Sequence, residues 1–286
     1  MKPKDYAALL DADGGFDRED SAAVTFTYAY DDPSLAQLRE KYGLAAVAGE
    51  GDTQERAIRL LHWLCARSRH SNVSVEKQDA LRLLDYSIGT GGGLNCKYLS
   101  VILSEMCLSV GIKARILWLM PRDPKDMDCH AVVMACAPER GKWIFLDPTT
   151  NAYFTDAQGN ALSPMEIRGN LARGGGGMVL SPEAVAKDKS LPDWYPNYLA
   201  KDMFRFESLR DTRFGALDHA CLSVHLCPAR FDLDAWWAIK LKSKKLWAIW
   251  WAIRDLKLSK FKKKKNHSDR PNAFIYATPE SFWAID

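Results

Sequence analysis

The sequence predicts a mixed α+β fold in which a helix is laid on an antiparallel sheet. Three observations point there. Apolar residues recur at helical spacing over Gln54–Ser68 (Ala57, Leu60, Leu61, Leu64) and again after Cys96 (Leu99, Ile102, Leu103, Met106, Val110). Runs rich in branched and aromatic residues at 112–120, 129–136 and 142–146 read as strands. The last two strands are separated by Pro138-Glu139-Arg140-Gly141, a turn that folds them into a hairpin.

Taken along the chain, residues 1–50 form an N-terminal elaboration. It holds a strand-like run, Ala23–Tyr30, and a short helix near Leu35–Tyr42. Residues 51–173 are read as the core, and 79–150 within them are dense with helix and strand signals. Gly111 stands where the helix after Cys96 should end in a left-handed turn. From 151 to 218 prolines and the run Gly174–Gly177 suggest mostly loop, and that glycine run lacks the Lys-Ser/Thr of a phosphate loop. Residues 174–286 are a C-terminal extension packed on the core, with Phe274–Asp286 expected to return as an edge strand.

Composition narrows the class. With 286 residues, 47% hydrophobic and 26% charged, the chain can bury a sizeable core and is neither disordered nor collagenous. No run approaches the roughly 18 apolar residues of a membrane span, and Met1–Asp20 is too acidic for a signal peptide, so a cytoplasmic location is expected. The net charge of +3 conceals an uneven distribution. Residues 235–265 carry eleven basic residues against one acid, a balance of +10 that leaves the remainder at −7, and hold five of the ten tryptophans. Contact with an anionic membrane surface through 235–265 is conceivable on that composition. The preferred reading is a packed element with a solvated basic face, and nucleic acid is not expected as a partner because its binding motifs are absent.

Seven cysteines without a Cys-x-x-Cys pair argue against a disulfide framework and against a zinc knuckle. Cys96 stands apart from the others. It opens a helix, where unpaired amide N–H groups and the positive end of the helix dipole favour thiolate and can hold an oxyanion. Gly91, Gly92 and Gly93, with Asn95, form a possible approach loop for substrate. In the hairpin the paired residue numbers should sum to 277 or 279. His130 and Asp147 sum to 277, so in either register they share a face and can meet. A buried carboxylate beside a histidine fixes its tautomer, and the three side chains supply nucleophile, base and orienter.

The run Asn95-Cys96-Lys97-Tyr98-Leu99-Ser100, then Gly111-Ile112-Lys113-Ala114-Arg115, Cys129-His130 and Trp143-Ile144-Phe145-Leu146-Asp147-Pro148-Thr149 resembles the transglutaminase-like superfamily. The likeness spans about residues 90–150. It implies a papain-like core with Cys96, His130 and Asp147 as catalytic triad, acyl transfer through a thioester, and a peptide, protein or other amide as substrate. Neither a cofactor nor a metal is implied. Hydrolysis is preferred to cross-linking for want of a calcium loop. The alternative is a member that has lost turnover and binds a peptide or partner.

Other cysteines read as packing. Cys107 lies about three turns into the helix, and Cys129 should face away from His130 because adjacent strand residues alternate. His219, Cys221, Ser223, His225 and Cys227 alternate onto one face of an expected strand, but its ends would lie about 26 Å apart, too far to share one zinc ion. A half-buried strand with a polar face is preferred there. Alternation in Ile239–Lys242 also suggests a strand.

Overall fold

A computed structural model describes residues 3–72, 75, 78–126, 128–219, 221–242 and 274–285. Its helices are α1 Pro3–Leu10, α2 Pro33–Lys41, α3 Leu44–Ala48, α4 Thr53–Cys65, α5 Ala80–Thr90, α6 Cys96–Ser109, α7 Pro164–Ala172, α8 Pro182–Lys187, α9 Leu191–Asp202, α10 over 233–242 and α11 Pro279–Phe282. The strands are β1 Thr27–Tyr28, β2 Ala114–Met120, β3 His130–Ala137, β4 Lys142–Leu146, β5 Phe154–Thr155, β6 Val179–Leu180, β7 Arg205–Leu209, β8 Asp211–Thr212, β9 Ser223–Leu226 and β10 Phe274–Tyr276.

Six strands make the central sheet, in the order β10-β9-β7-β2-β3-β4. All neighbours are antiparallel except β9 and β10, so the sheet is mixed at the edge that Phe274–Tyr276 closes. Both faces are covered, which is why β3 is buried along its whole length. Its side chains alternate between two cores. Val133, Ala135 and Ala137 join Ile144 and Leu146 against the helices α2 to α6. Val132, Met134 and Cys136 join Trp143 and Phe145 on the other side, against α1, α7 and α9. A third, smaller cluster packs Met120, Phe204 and Phe231 with Trp236 and Trp237 of α10.

Helix starts follow local chemistry. Asp52 and Glu55 form a capping box on α4, and Ser163 and Glu166 form another on α7 with Pro164 in the first turn. On α6 nearly every residue after Lys97 is buried, because the helix is wedged between the sheet and the other helices of its layer. Glu105 is enclosed there. Burial drives its carboxyl well above the ordinary range, while the amides of Ala80 and Gly215 donate to its two oxygens.

Several expectations are corrected. Ala23–Tyr30 is not one strand. Ala22 just before it bonds to Tyr276, the amides of Thr27 and Ala29 bond to the segment around β8, and within the run only Thr27–Tyr28 forms a ladder. The stretch 151–218 is not mostly loop, since it holds α7, α8, α9 and β7. Prolines at the first turns of these helices cost no hydrogen bond. The strand expected over 219–227 is only Ser223–Leu226 and is fully buried, so no polar ladder of five residues exists. Ile239–Lys242 is helical, and Lys240 lies one turn beyond Trp236 with its ammonium over that indole at 4.7 Å. The expected features over 243–265 lie outside the described residues.

Candidate active site

Three elements converge on the candidate site. Cys96 is the first residue of α6, and Asn95 caps the helix by accepting the Tyr98 N–H at 3.1 Å. That position leaves the Cys96 amide without a carbonyl one turn back, so it is a donor available at the surface of the site. His130 begins β3 and Asp147 follows directly on β4. The hairpin register is the 279 alternative, with Val133 opposite Leu146, which sets His130 and Asp147 diagonally on one face.

His130 Nε2 lies 2.9 Å from Asp147 Oδ2, and both side chains are buried. The Cys96 side chain is the other hydrogen-bond neighbour of His130. With Nε2 committed to the carboxylate, Nδ1 is the nitrogen left for the thiol. Burial opposes charge on His130, but the Asp147 carboxylate, its hydrogen bond and then Cys96 outweigh burial and hold the imidazole well above its ordinary value. Asp147 moves the opposite way. Burial would raise it, yet the charge and hydrogen bond of His130, with Tyr195 and the Thr149 amide, bring it down to about 2. The arrangement thus favours an imidazolium beside a carboxylate, with a partly buried thiol next to it.

Asp147 has more partners than the hairpin supplies. Its Oδ2 also accepts the Tyr195 hydroxyl at 2.6 Å and the Thr150 hydroxyl at 2.9 Å, and its Oδ1 accepts the Thr149 amide at 2.8 Å. Tyr198, one turn on from Tyr195 in α9, sets its ring edge-on to His130 at 5.4 Å, and Trp194 touches both tyrosines. None of these aromatics was apparent from sequence. The Asp-Pro-Thr-Thr run could have suggested the Thr149 and Thr150 contacts, because an aspartate often bonds the amide two residues on. No local signal marks Tyr195. His70 was missed as well. It pairs with Leu94 through backbone bonds of 2.9 Å on either side, two residues before Cys96.

The glycine loop is shaped by local packing. Gly91 ends α5 with φ +66°, a left-handed cap. A Cβ on Gly92 would collide with the Tyr86 ring, and one on Gly93 with Ser71. Gly92 and Gly93 are therefore required by the protein's own packing, and Gly93 lets the 69–71 segment lie against Leu94 just before α6. Cys129 packs beside the third cluster, and burial pushes its thiol to about 12. Cys107 is enclosed in the first core, also at about 12 because of burial. All seven cysteines are free thiols. Among the described residues no group of three or more His, Cys, Asp or Glu is placed to hold a metal ion, and His225 is buried instead against Phe274.

Residues 41–148 match the family model of the transglutaminase-like superfamily. Among solved structures, the chain is similar to "a Putative Cysteine Protease from Cytophaga hutchinsonii", at 18% identity and a TM-score of 0.32 over 40% of this chain and 37% of that one. It is also similar to "a Putative Protease from Parabacteroides distasonis ATCC 8503", at 15% identity and a TM-score of 0.27 over 51% of this chain and 26% of that one. The chain thus spans well under half the length of either. No curated protein matches it.

Proposed function

We propose that this chain, whose residues 41–148 match the transglutaminase-like family model, is a cysteine-dependent amide hydrolase acting through Cys96, His130 and Asp147. The observation that carries this reading is the position of His130, hydrogen-bonded through Nε2 to a buried carboxylate with the helix-initial Cys96 side chain beside it. In the first step Cys96 Sγ attacks the amide carbonyl, and the thiol proton resides on His130. The Cys96 N–H stabilises the oxyanion. As the C–N bond breaks, His130 returns the proton to the leaving nitrogen, giving a free amine and a thioester. Water, deprotonated by His130, then cleaves the C–S bond to a carboxylic acid and restores the thiol. An amine in place of water would give transamidation at the same thioester.

The test is mass spectrometry of products from a panel of peptide amides, with wild type, Cys96→Ala and His130→Ala, alongside labelling by a thiol-directed activity probe. Wild type should release acid and amine and label at Cys96. Cys96→Ala should do neither, and His130→Ala should lose about 10²–10⁴-fold in rate, the usual worth of a general acid and base. Equal turnover in wild type and Cys96→Ala would overturn the proposal, as would equal probe labelling of wild type and His130→Ala.

A further inference from the structure

Tyr195 lies well beyond residue 148, outside the segment that matches the family model, in a helix that reads as loop from sequence. Its side chain is fully buried, and a buried tyrosine hydroxyl needs a partner. The partner it has is Asp147 Oδ2, at 2.6 Å, the same oxygen that holds His130 Nε2 at 2.9 Å. The ring has little freedom to move away. Phe154 stacks on it at 5.9 Å with the planes 5° apart, and Trp194 meets it edge-on at 5.7 Å.

We infer that Tyr195 is a positioning residue of the catalytic centre, which tunes how strongly Asp147 draws on His130, so that the centre is a tetrad completed from the C-terminal part of the chain. The inference rests on the Cys96–His130–Asp147 reading above. Its physical basis is competition at one oxygen. A hydroxyl donated to Oδ2 draws negative charge from the atom that His130 faces, so the carboxylate holds the imidazolium less tightly and the proton can be passed on to a leaving amine. The same bond fixes the plane of the carboxylate, which is free of backbone restraint on the Oδ2 side, and so fixes the direction in which the imidazole points. A tyrosine serving only to fill space would need neither the hydroxyl nor this partner.

The experiment uses the full chain with ¹³Cε1-labelled histidine, wild type against Tyr195→Phe, and follows the six imidazoles by NMR as a function of pH. Phe keeps the ring and its stacking and deletes only the donor. The His130 titration midpoint should move up by about half a unit to one unit, a fraction of a charge-assisted hydrogen bond. On a peptide amide that wild type cleaves, kcat should fall about tenfold with KM unchanged. A His130 midpoint equal to wild type would overturn the inference, whatever kcat does. Because the NMR titration needs no turnover, repeating it in the Cys96→Ala background separates the two ideas. Activity surviving in Cys96→Ala would remove the acyl-transfer reading, whereas an unmoved His130 midpoint in Tyr195→Phe would remove only the role of Tyr195.

Discussion

Replacing Asp147 by Asn tests the energetic centre of the site. The carboxylate accepts three donors on Oδ2 and one on Oδ1 and is fully buried. An amide offers one oxygen. If that oxygen keeps the Oδ2 position, the new NH₂ group faces the Thr149 N–H; if it flips, His130, Tyr195 and Thr150 lose their acceptor. The charge contribution follows from linkage. Asp147 is lowered from 3.8 to about 2, and at 1.36 kcal/mol per pH unit this corresponds to about 2 kcal/mol of folded-state stability at neutral pH. Burial leaves no solvent screening to discount. A buried donor facing another donor adds about 1–3 kcal/mol, so Asp147→Asn should cost roughly 3–5 kcal/mol at pH 7. A depressed carboxylate contributes fully above its unfolded value and loses its contribution as pH falls from 3.8 through about 2. His130, held above its ordinary 6.5, contributes below that value and loses its contribution as pH rises through its raised one. The two shifts report one interaction and are not added. Urea unfolding of both proteins across pH 2.5 to 9 should therefore show the largest difference near neutrality and a smaller one at pH 2.5. A difference below about 1 kcal/mol at pH 7, or one that does not change with pH, would refute the assignment of Asp147 as a charged partner of His130.

Three further outcomes are expected. Gly93→Ala would drive a methyl group into Ser71 against the 69–71 segment, so unfolding should be easier by about 1–3 kcal/mol and Cys96 alkylation slower; unchanged stability and alkylation would contradict the packing role of this glycine. Lys201 lies 3.1 Å from Asp126, 3.1 Å from Asp128 and 3.3 Å from the buried Asp202, whose carboxyl burial lifts to about 7 against the pull of Lys201. Lys201→Met should cost about 2–4 kcal/mol at pH 8, where the stranded carboxylate must ionise, and less at pH 5, a difference readable by thermal melts at the two pH values. Cys129→Ala should leave probe labelling at the level of wild type, because burial keeps that thiol protonated; loss of labelling on this substitution would move the reactive thiol from Cys96 to Cys129.

The parts of the fold legible in the sequence are those whose periodicity agrees with their burial. In β3 and β4 the residues alternate between two cores, and the turn Pro138–Arg140 fixes the register to within one step, which was enough to bring His130 and Asp147 to one face. In α6 the apolar stripe and the Asn95 cap mark both the helix and its first residue. Where the signals conflict, the reading fails for identifiable reasons. Prolines at 164, 182 and 192 look like breakers but occupy first turns, where no hydrogen bond is lost, and Pro196 inside α9 forfeits one bond that tertiary packing makes up. Ser223–Leu226 alternates as an amphipathic strand would, yet is buried on both sides because β7 and β10 flank it and aromatics cover it.

The site shows the same division at the scale of single atoms. A hairpin can bring His130 within reach of Asp147, but it satisfies only part of what a buried carboxylate demands, since the second oxygen and the remaining lone pairs must also find donors. Those donors come from two sources of different legibility. Thr149 and Thr150 are two and three residues away, so a turn delivers them almost inevitably. Tyr195 arrives from the far side of the sheet layer, carried by a helix that is placed only once α1, α7 and α9 have packed on Val132, Met134 and Phe145. A carboxylate with fewer donors would keep more of its charge on the oxygen that His130 faces and would be less firmly held in its plane. The three candidate residues are therefore written within a short stretch of sequence, whereas the donors that temper the charge of Asp147 and hold it still are distributed over the second half of the chain.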